Sequence, residues 1–164
     1  LHEGIVEVFE NLDDLAKRID SEDLNVTKDS VLLLRNIGPI GAPGMPEAGL
    51  IPIPKKLARQ GVKDMVRISD GRMSGTASGT IVLHVCPEAA VGGTLNIVKS
   101  GDVIRLDVIN RKIELLLSDE EIELRKLNKP LKKKSNRRGY NKLFYDEVLQ
   151  ADQGVDFQFL RPIE

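Results

Sequence analysis

Three stretches concentrate the residue types that can do chemistry. The first is Gly38-Pro39-Ile40-Gly41-Ala42-Pro43-Gly44-Met45-Pro46-Glu47. Its prolines fix φ while its glycines let the backbone approach closely, so the loop is shaped rather than floppy. Glu47 is its lone carboxylate, suited to ligate a hard cation such as Mg2+ or to act as a general base. The competing reading is an ordinary exposed glutamate on a surface turn. The second stretch is Asp70-Gly71-Arg72-Met73-Ser74-Gly75-Thr76. A serine followed by glycine after a buried strand can present its hydroxyl, and Arg72 can pair bidentately with a carboxylate or phosphate. It is not the hydrolase elbow, because Arg72 stands where the first glycine belongs, and no Gly-Lys-Ser/Thr makes it a phosphate-binding loop. The third holds His84 and Cys86. With His2 and His84 the only histidines, a Ser-His-acid triad has thin support. His84 lies in the apolar run Val82-Leu83-His84-Val85 and reads as a core or site-lining histidine rather than a base. Cys86 reads as a buried packing residue, since no acid–base partner is evident for a nucleophile.

These stretches need strands and helices to hold them. Ile5 to Phe9 suits a strand. Asn11 can cap a helix carrying Asp13 and Asp14 in its first turn and Leu12, Leu15, Ala16 and Ile19 on one face. Val31 to Leu34 and Asp64 to Ser69 read as buried strands, and Ile81 to Val85 is again apolar. Asn36 to Pro54 holds four Gly and five Pro and must be loop. A short helix is expected at Pro54 to Gln60, with Gly61 closing it. Ile104, Leu106 and Val108 alternate with charged residues, as do Ile113 and Leu115, which predicts an antiparallel pair turning near Asn110. Ser118-Asp119-Glu120-Glu121 has the spacing of a capping box.

Arg125 to Arg138 carries eight basic residues and one Pro. Without an interleaved aromatic it reads as a solvated linker rather than a nucleic-acid patch. Beyond it cluster Tyr140, Phe144, Tyr145, Phe157 and Phe159, with Tyr140, Phe144 and Val148 at helical spacing. We therefore divide the chain into a body, 1–128, and a basic linker with a C-terminal docking helix and tail, 129–164.

Composition narrows the field further. The 164 residues are 41% hydrophobic and 30% charged, enough for a real core, with a net charge of −1 that gives no field toward nucleic acid or membrane. No apolar run approaches the ~20 residues of a membrane span, and a cytoplasmic location is expected. A single cysteine excludes an internal disulfide and any cysteine-only metal site built from this chain.

Taken in order, Leu34 to Glu47, Val66 to Thr76 and His84 to Gly93 resemble the dihydroxy-acid and sugar-acid dehydratase family. The likeness continues through Gly101-Asp102, Leu117 to Glu121 and Val148 to Phe157. It covers nearly the whole chain, but only the C-terminal third of a typical member. Met73 and the tail Ala151 to Phe157 look more like the aldonate branch than the branched-chain one, although Gly71 stands where many aldonate dehydratases have Ala. The resemblance implies a mixed α/β, β-dominated fold: a β-barrel-like swivelling domain with flanking helices. It implies an iron–sulfur and Mg2+ dependent hydro-lyase that converts a 2,3-dihydroxy sugar acid to a 2-keto-3-deoxy acid. Ser74 would be the base at Cα, Glu47 a Mg2+ ligand, and Arg72, Gly75, Thr76 and His84 substrate contacts. The [2Fe-2S] cysteines and the remaining Mg2+ ligands would lie in an N-terminal domain, the expected partner, so this polypeptide by itself is expected to bind no cluster and to be inactive. A homo-oligomer is expected for the full-length protein, with neither nucleic acid nor membrane as a partner. Two alternatives stay open: a branched-chain dihydroxy-acid dehydratase domain, and a non-catalytic module binding a carboxylate ligand or a partner.

Overall fold

The apolar runs assemble into one six-stranded mixed sheet in a computed structural model of the chain, which describes residues 1–129, 131 and 138–161. In chain order the elements are β1 (His2–Phe9), α1 (Leu12–Arg18), β2 (Val31–Leu34), α2 (Lys55–Ala58), β3 (Val66–Ser69) and β4 (Ile81–Val82). They continue with β5 (Val103–Asp107), β6 (Lys112–Leu115), α3 (Asp119–Asn128) and α4 (Tyr140–Glu147). The strand order is β4-β3-β2-β1-β5-β6. Strands β1 to β4 run parallel to one another, with Val31 opposite Val6 and Val66, whereas β5 is antiparallel to both β1 and β6. The sheet curls into a half-barrel, and Gly79–Val82 at one end share a groove of about 480 Å³ with Leu106–Val108 and Arg111–Ile113 at the other.

The two-residue period of a strand divides the core. Leu32 and Leu34 join Phe9, Leu15, Ile19 and Met65 beneath the helices, while Val31 and Leu33 join Val6, Val8, Ile68 and Ile104 inside the curl. All four residues of β2 are buried, as expected of a parallel strand covered on both faces. Asn11 caps α1 as expected, its Oδ1 accepting from the Asp14 N–H at 2.9 Å. Ser118 likewise accepts from the Glu121 N–H, but the Glu121 carboxylate turns to Arg125. Arg125 in turn reaches Asp102, fixing α3 to the turn before β5.

Several expectations shift. Ala16 is exposed, at the margin of the α1 stripe. The Ile81–Val85 strand stops at Val82, and α2 is a single turn, Lys55–Ala58, with Gly61 at φ +87° just beyond it. Val108 lies past the end of β5 and is exposed, so the alternation outlasts the strand. Helix α4 ends at Glu147, leaving Val148 extended and buried. Of the basic run, residues 130 and 132–137 lie outside the described residues, and Arg125 is not solvated but paired.

Candidate active site

The parallel arrangement of β1 to β4 decides where the chemistry gathers. Loops leaving the carboxyl ends of parallel neighbours emerge on one rim, the usual place for ligands in α/β sheets. The Glu47 loop follows β2, the Ser74 loop follows β3, and the His84–Ala89 segment follows β4.

Hydrogen bonds lace the first two loops together on both sides of Glu47. The Arg72 Nε donates to the Met45 carbonyl at 2.9 Å, the Ala48 N–H to the Arg72 carbonyl at 3.0 Å, and the Ser74 N–H to the Gly49 carbonyl at 2.7 Å. Glu47 is exposed, and its carboxylate makes no hydrogen bond or ion pair among the described residues. The Ser74 hydroxyl is half-buried, 2.9 Å from the Thr76 hydroxyl, and accepts from the Thr76 N–H at 3.3 Å. Gly75 and Thr76 are exposed beside it, and the space over Gly75 is open.

His84 is not a core residue. It is exposed at φ +55°, its N–H donating to the Gly71 carbonyl, because β4 ends at Val82 and His84 lies two residues beyond it. Cys86 is only half-buried, with its Sγ donating to the His84 carbonyl. Asn36, Met45 and His84 all sit at positive φ around this rim. Such strain persists only where the surroundings over-determine it, and it clusters at functional sites.

Two buried carboxylates underlie the rim. Asp70, 1% exposed, accepts from the N–H groups of Asn36, Ile37 and Ala89 at 3.0–3.1 Å, so one side chain holds all three loops. Glu88, also 1% exposed, accepts from Ile40 and Gly41 and from the Gln150 amide. Sequence reasoning gave neither a role, although Asp70 stands directly after a buried strand, where turn N–H groups converge. The glycines match: a Cβ on Gly38 would lie 2.6 Å from the Glu88 carboxylate, and one on Gly71 2.5 Å from Ile37.

Burial pushes the Asp70 carboxyl above the ordinary aspartate range, against the pull of its three N–H donors. Burial raises Glu88 likewise, assisted by the charge of Asp70. An acid whose folded pKa exceeds its unfolded value adds its stability in full below the unfolded pKa and loses it as pH rises through the folded one. Both groups therefore favour the fold in acid and oppose it as pH climbs. Carboxyl carbon NMR is expected to show both midpoints above 3.8 and 4.5, the ordinary values for Asp and Glu. Midpoints at or below those values would mean that the N–H cradle outweighs desolvation.

A family model described as dihydroxy-acid/6-phosphogluconate dehydratase C-terminal matches residues 1–155. The chain belongs to this family. The dehydratase domain is 49% identical over 160 residues to the 6-deoxy-6-sulfo-D-gluconate dehydratase of Pseudomonas putida, covering 98% of this chain. It is 48% identical over 165 residues to the L-arabonate dehydratase of Azospirillum brasilense, covering 97%. Against the dihydroxy-acid dehydratase of Clostridium botulinum (strain Alaska E43 / Type E3) it is 39% identical over 157 residues, covering 94%. The chain spans 28% of the length of each of these relatives. No helix among the described residues is long and apolar enough to cross a membrane, and no three His, Cys, Asp or Glu side chains among them converge as a metal site.

Proposed function

We propose that this domain works within a longer hydro-lyase that removes water from a 2,3-dihydroxy sugar acid to give a 2-keto-3-deoxy acid. Ser74 takes the Cα proton and Glu47 supplies a metal ligand. The observation that carries the reading is the lacing of the Glu47 loop to the Ser74 loop, which puts an unpaired carboxylate and a presented hydroxyl on one rim. Greater identity to relatives named for sugar acids than to one named for dihydroxy acids favours the aldonate branch.

Glu47 suits Mg2+, because an exposed, unpartnered carboxylate is a hard oxygen donor. Bound Mg2+ would supply positive charge that favours ionisation of a nearby hydroxyl and of the substrate Cα–H. A [2Fe-2S] cluster finds no cysteine set in this chain, whose only thiol is Cys86, and the step taken by the 3-hydroxyl is therefore assigned to no residue here. Arg72, Gly75, Thr76 and His84 are the substrate contacts in this reading, and the open space over Gly75 leaves the approach to Ser74 clear. The partner is the remainder of the dehydratase, on which this domain would sit as a swivelling half-barrel, with residues 129–164 as its linker and docking element.

The test is turnover by the full-length protein of a panel of aldonates and of 2,3-dihydroxy-3-methylbutanoate. Preference for an aldonate supports the reading; exclusive turnover of the branched acid moves the chain to the other branch, and none of either leaves a binding module. Glu47→Gln is expected to raise the Mg2+ concentration needed for half-maximal activity by about 10-fold or more, since a charged ligand becomes a neutral one.

A further inference from the structure

A role for the C-terminal segment follows from where Gln150 points. Its carboxamide meets Glu88 twice: Nε2 donates to the Glu88 carboxylate at 2.8 Å, and Oε1 accepts from the Glu88 backbone N–H at 2.9 Å. The Glu88 carboxylate is thereby aimed at the N–H groups of Ile40 (2.9 Å) and Gly41 (2.8 Å), inside the Glu47 loop. Gly38 leaves room for it, where any side chain would collide. Gln150 is itself held: it follows buried Val148 and then Leu149, whose N–H donates to the Asp156 carbonyl, and its own carbonyl accepts from the N–H groups of Gln153 and Val155. We propose that Gln150 and Glu88 form a strap by which the C-terminal segment sets the position of the Glu47 loop, making Gln150 a positioning residue for metal binding. The proposal rests on the reading of Glu47 as a Mg2+ ligand.

The physical case is one of directed hydrogen bonds. A buried carboxylate accepting from two consecutive N–H groups has one productive orientation, and the neutral amide of Gln150 can fix it without adding charge. Freed of Gln150, the Glu88 carboxylate keeps its burial cost but loses its aim, and the loop it cradles gains alternative positions. Partners bonded directly to a metal ligand are worth about 10–100-fold in metal affinity when removed; Gln150 acts through the loop backbone, so the low end of that range is expected.

The experiment uses the full-length dehydratase and three variants: Gln150→Leu, which keeps size and removes both hydrogen bonds, Glu88→Gln, and Glu47→Gln. Two readouts are taken: the Mg2+ concentration giving half-maximal activity, and hydrogen–deuterium exchange of the peptide spanning 38–47. Gln150→Leu is expected to raise half-saturating Mg2+ by about 10-fold, with a much smaller fall in kcat at saturating Mg2+, and to speed exchange in that peptide. Glu88→Gln should do the same more strongly, and if it fails to fold the half-exposed Gln150 position still carries the test. Unchanged Mg2+ dependence in Gln150→Leu, while Glu47→Gln shifts it, overturns the strap and leaves the proposed function standing. If Glu47→Gln changes nothing, the ligand reading fails instead. The strap is then judged by exchange alone, and unaltered exchange in Gln150→Leu overturns it.

Discussion

Replacing Ser74 by alanine in the full-length dehydratase is expected to lower kcat by about 10³-fold or more, the loss typical of a removed base. Mg2+ dependence should stay near that of the parent. The structure also supplies the competing account, because the Ser74 hydroxyl accepts from the Thr76 N–H and sits against the Thr76 hydroxyl. A hydroxyl acting only in that turn would cost about 1 kcal/mol of stability and leave turnover per folded molecule intact. Measuring kcat and melting temperature on the same Ser74→Ala protein separates the two. Near-parental kcat with a lowered melting temperature would remove Ser74 from the mechanism. Ser74→Thr keeps the hydroxyl and is expected to retain part of the activity, if the exposed end of the loop accepts the extra methyl.

The second large effect belongs to Asp70. Asp70→Ala leaves three N–H groups, of Asn36, Ile37 and Ala89, without their acceptor in the interior. Each buried donor left unsatisfied costs about 1–3 kcal/mol, so a loss of about 3–5 kcal/mol is expected, much of the stability of an ordinary domain. Denaturant unfolding of the 164-residue chain measures it. Asp70→Asn is expected to fall in between, because one oxygen still accepts while the amide group faces a backbone donor. A loss under 1 kcal/mol for Asp70→Ala would show that the three loops hold together without it.

Arg35 and Arg67 belong to the same kind of construction. Each is almost wholly buried, and each divides its guanidinium between one carboxylate, Glu10 for Arg35 and Asp64 for Arg67, and several backbone carbonyls. Arg35 Nη1 reaches the oxygens of Leu95, Asn96 and Val98, and Arg67 reaches those of Ile51, Met65 and Ser78. The five planar donors of arginine suit this task, which a lysine could not match. Together with Asp70 and Glu88, these charges make the rim a set of loops tied to the sheet by side chains rather than by further strands.

The elements were legible wherever one periodicity dominated. The β2 run, the β5–β6 alternation and the Asn11 cap are written locally, since period and capping depend on neighbours within a few residues. The Glu47 loop was also legible as special, because glycines and prolines so dense can only be loop; the Ser74 loop showed as two glycines after a buried strand, and the motifs in their order carried the family. The order of the strands, the curl and the meeting of the loops were not legible. Nothing near Glu47 announces that its neighbours bond to Arg72 and Ser74, because that contact comes from β2 and β3 lying parallel. The sequence placed His84 in an apolar run, and the structure put it on the rim, because β4 ends at Val82 and the backbone turns through positive φ. Asp70, Glu88 and Gln150 were single polar letters in the chain. Their meaning comes from burial, where a carboxylate must find N–H donors or lose its place, and burial is decided only when distant segments pack.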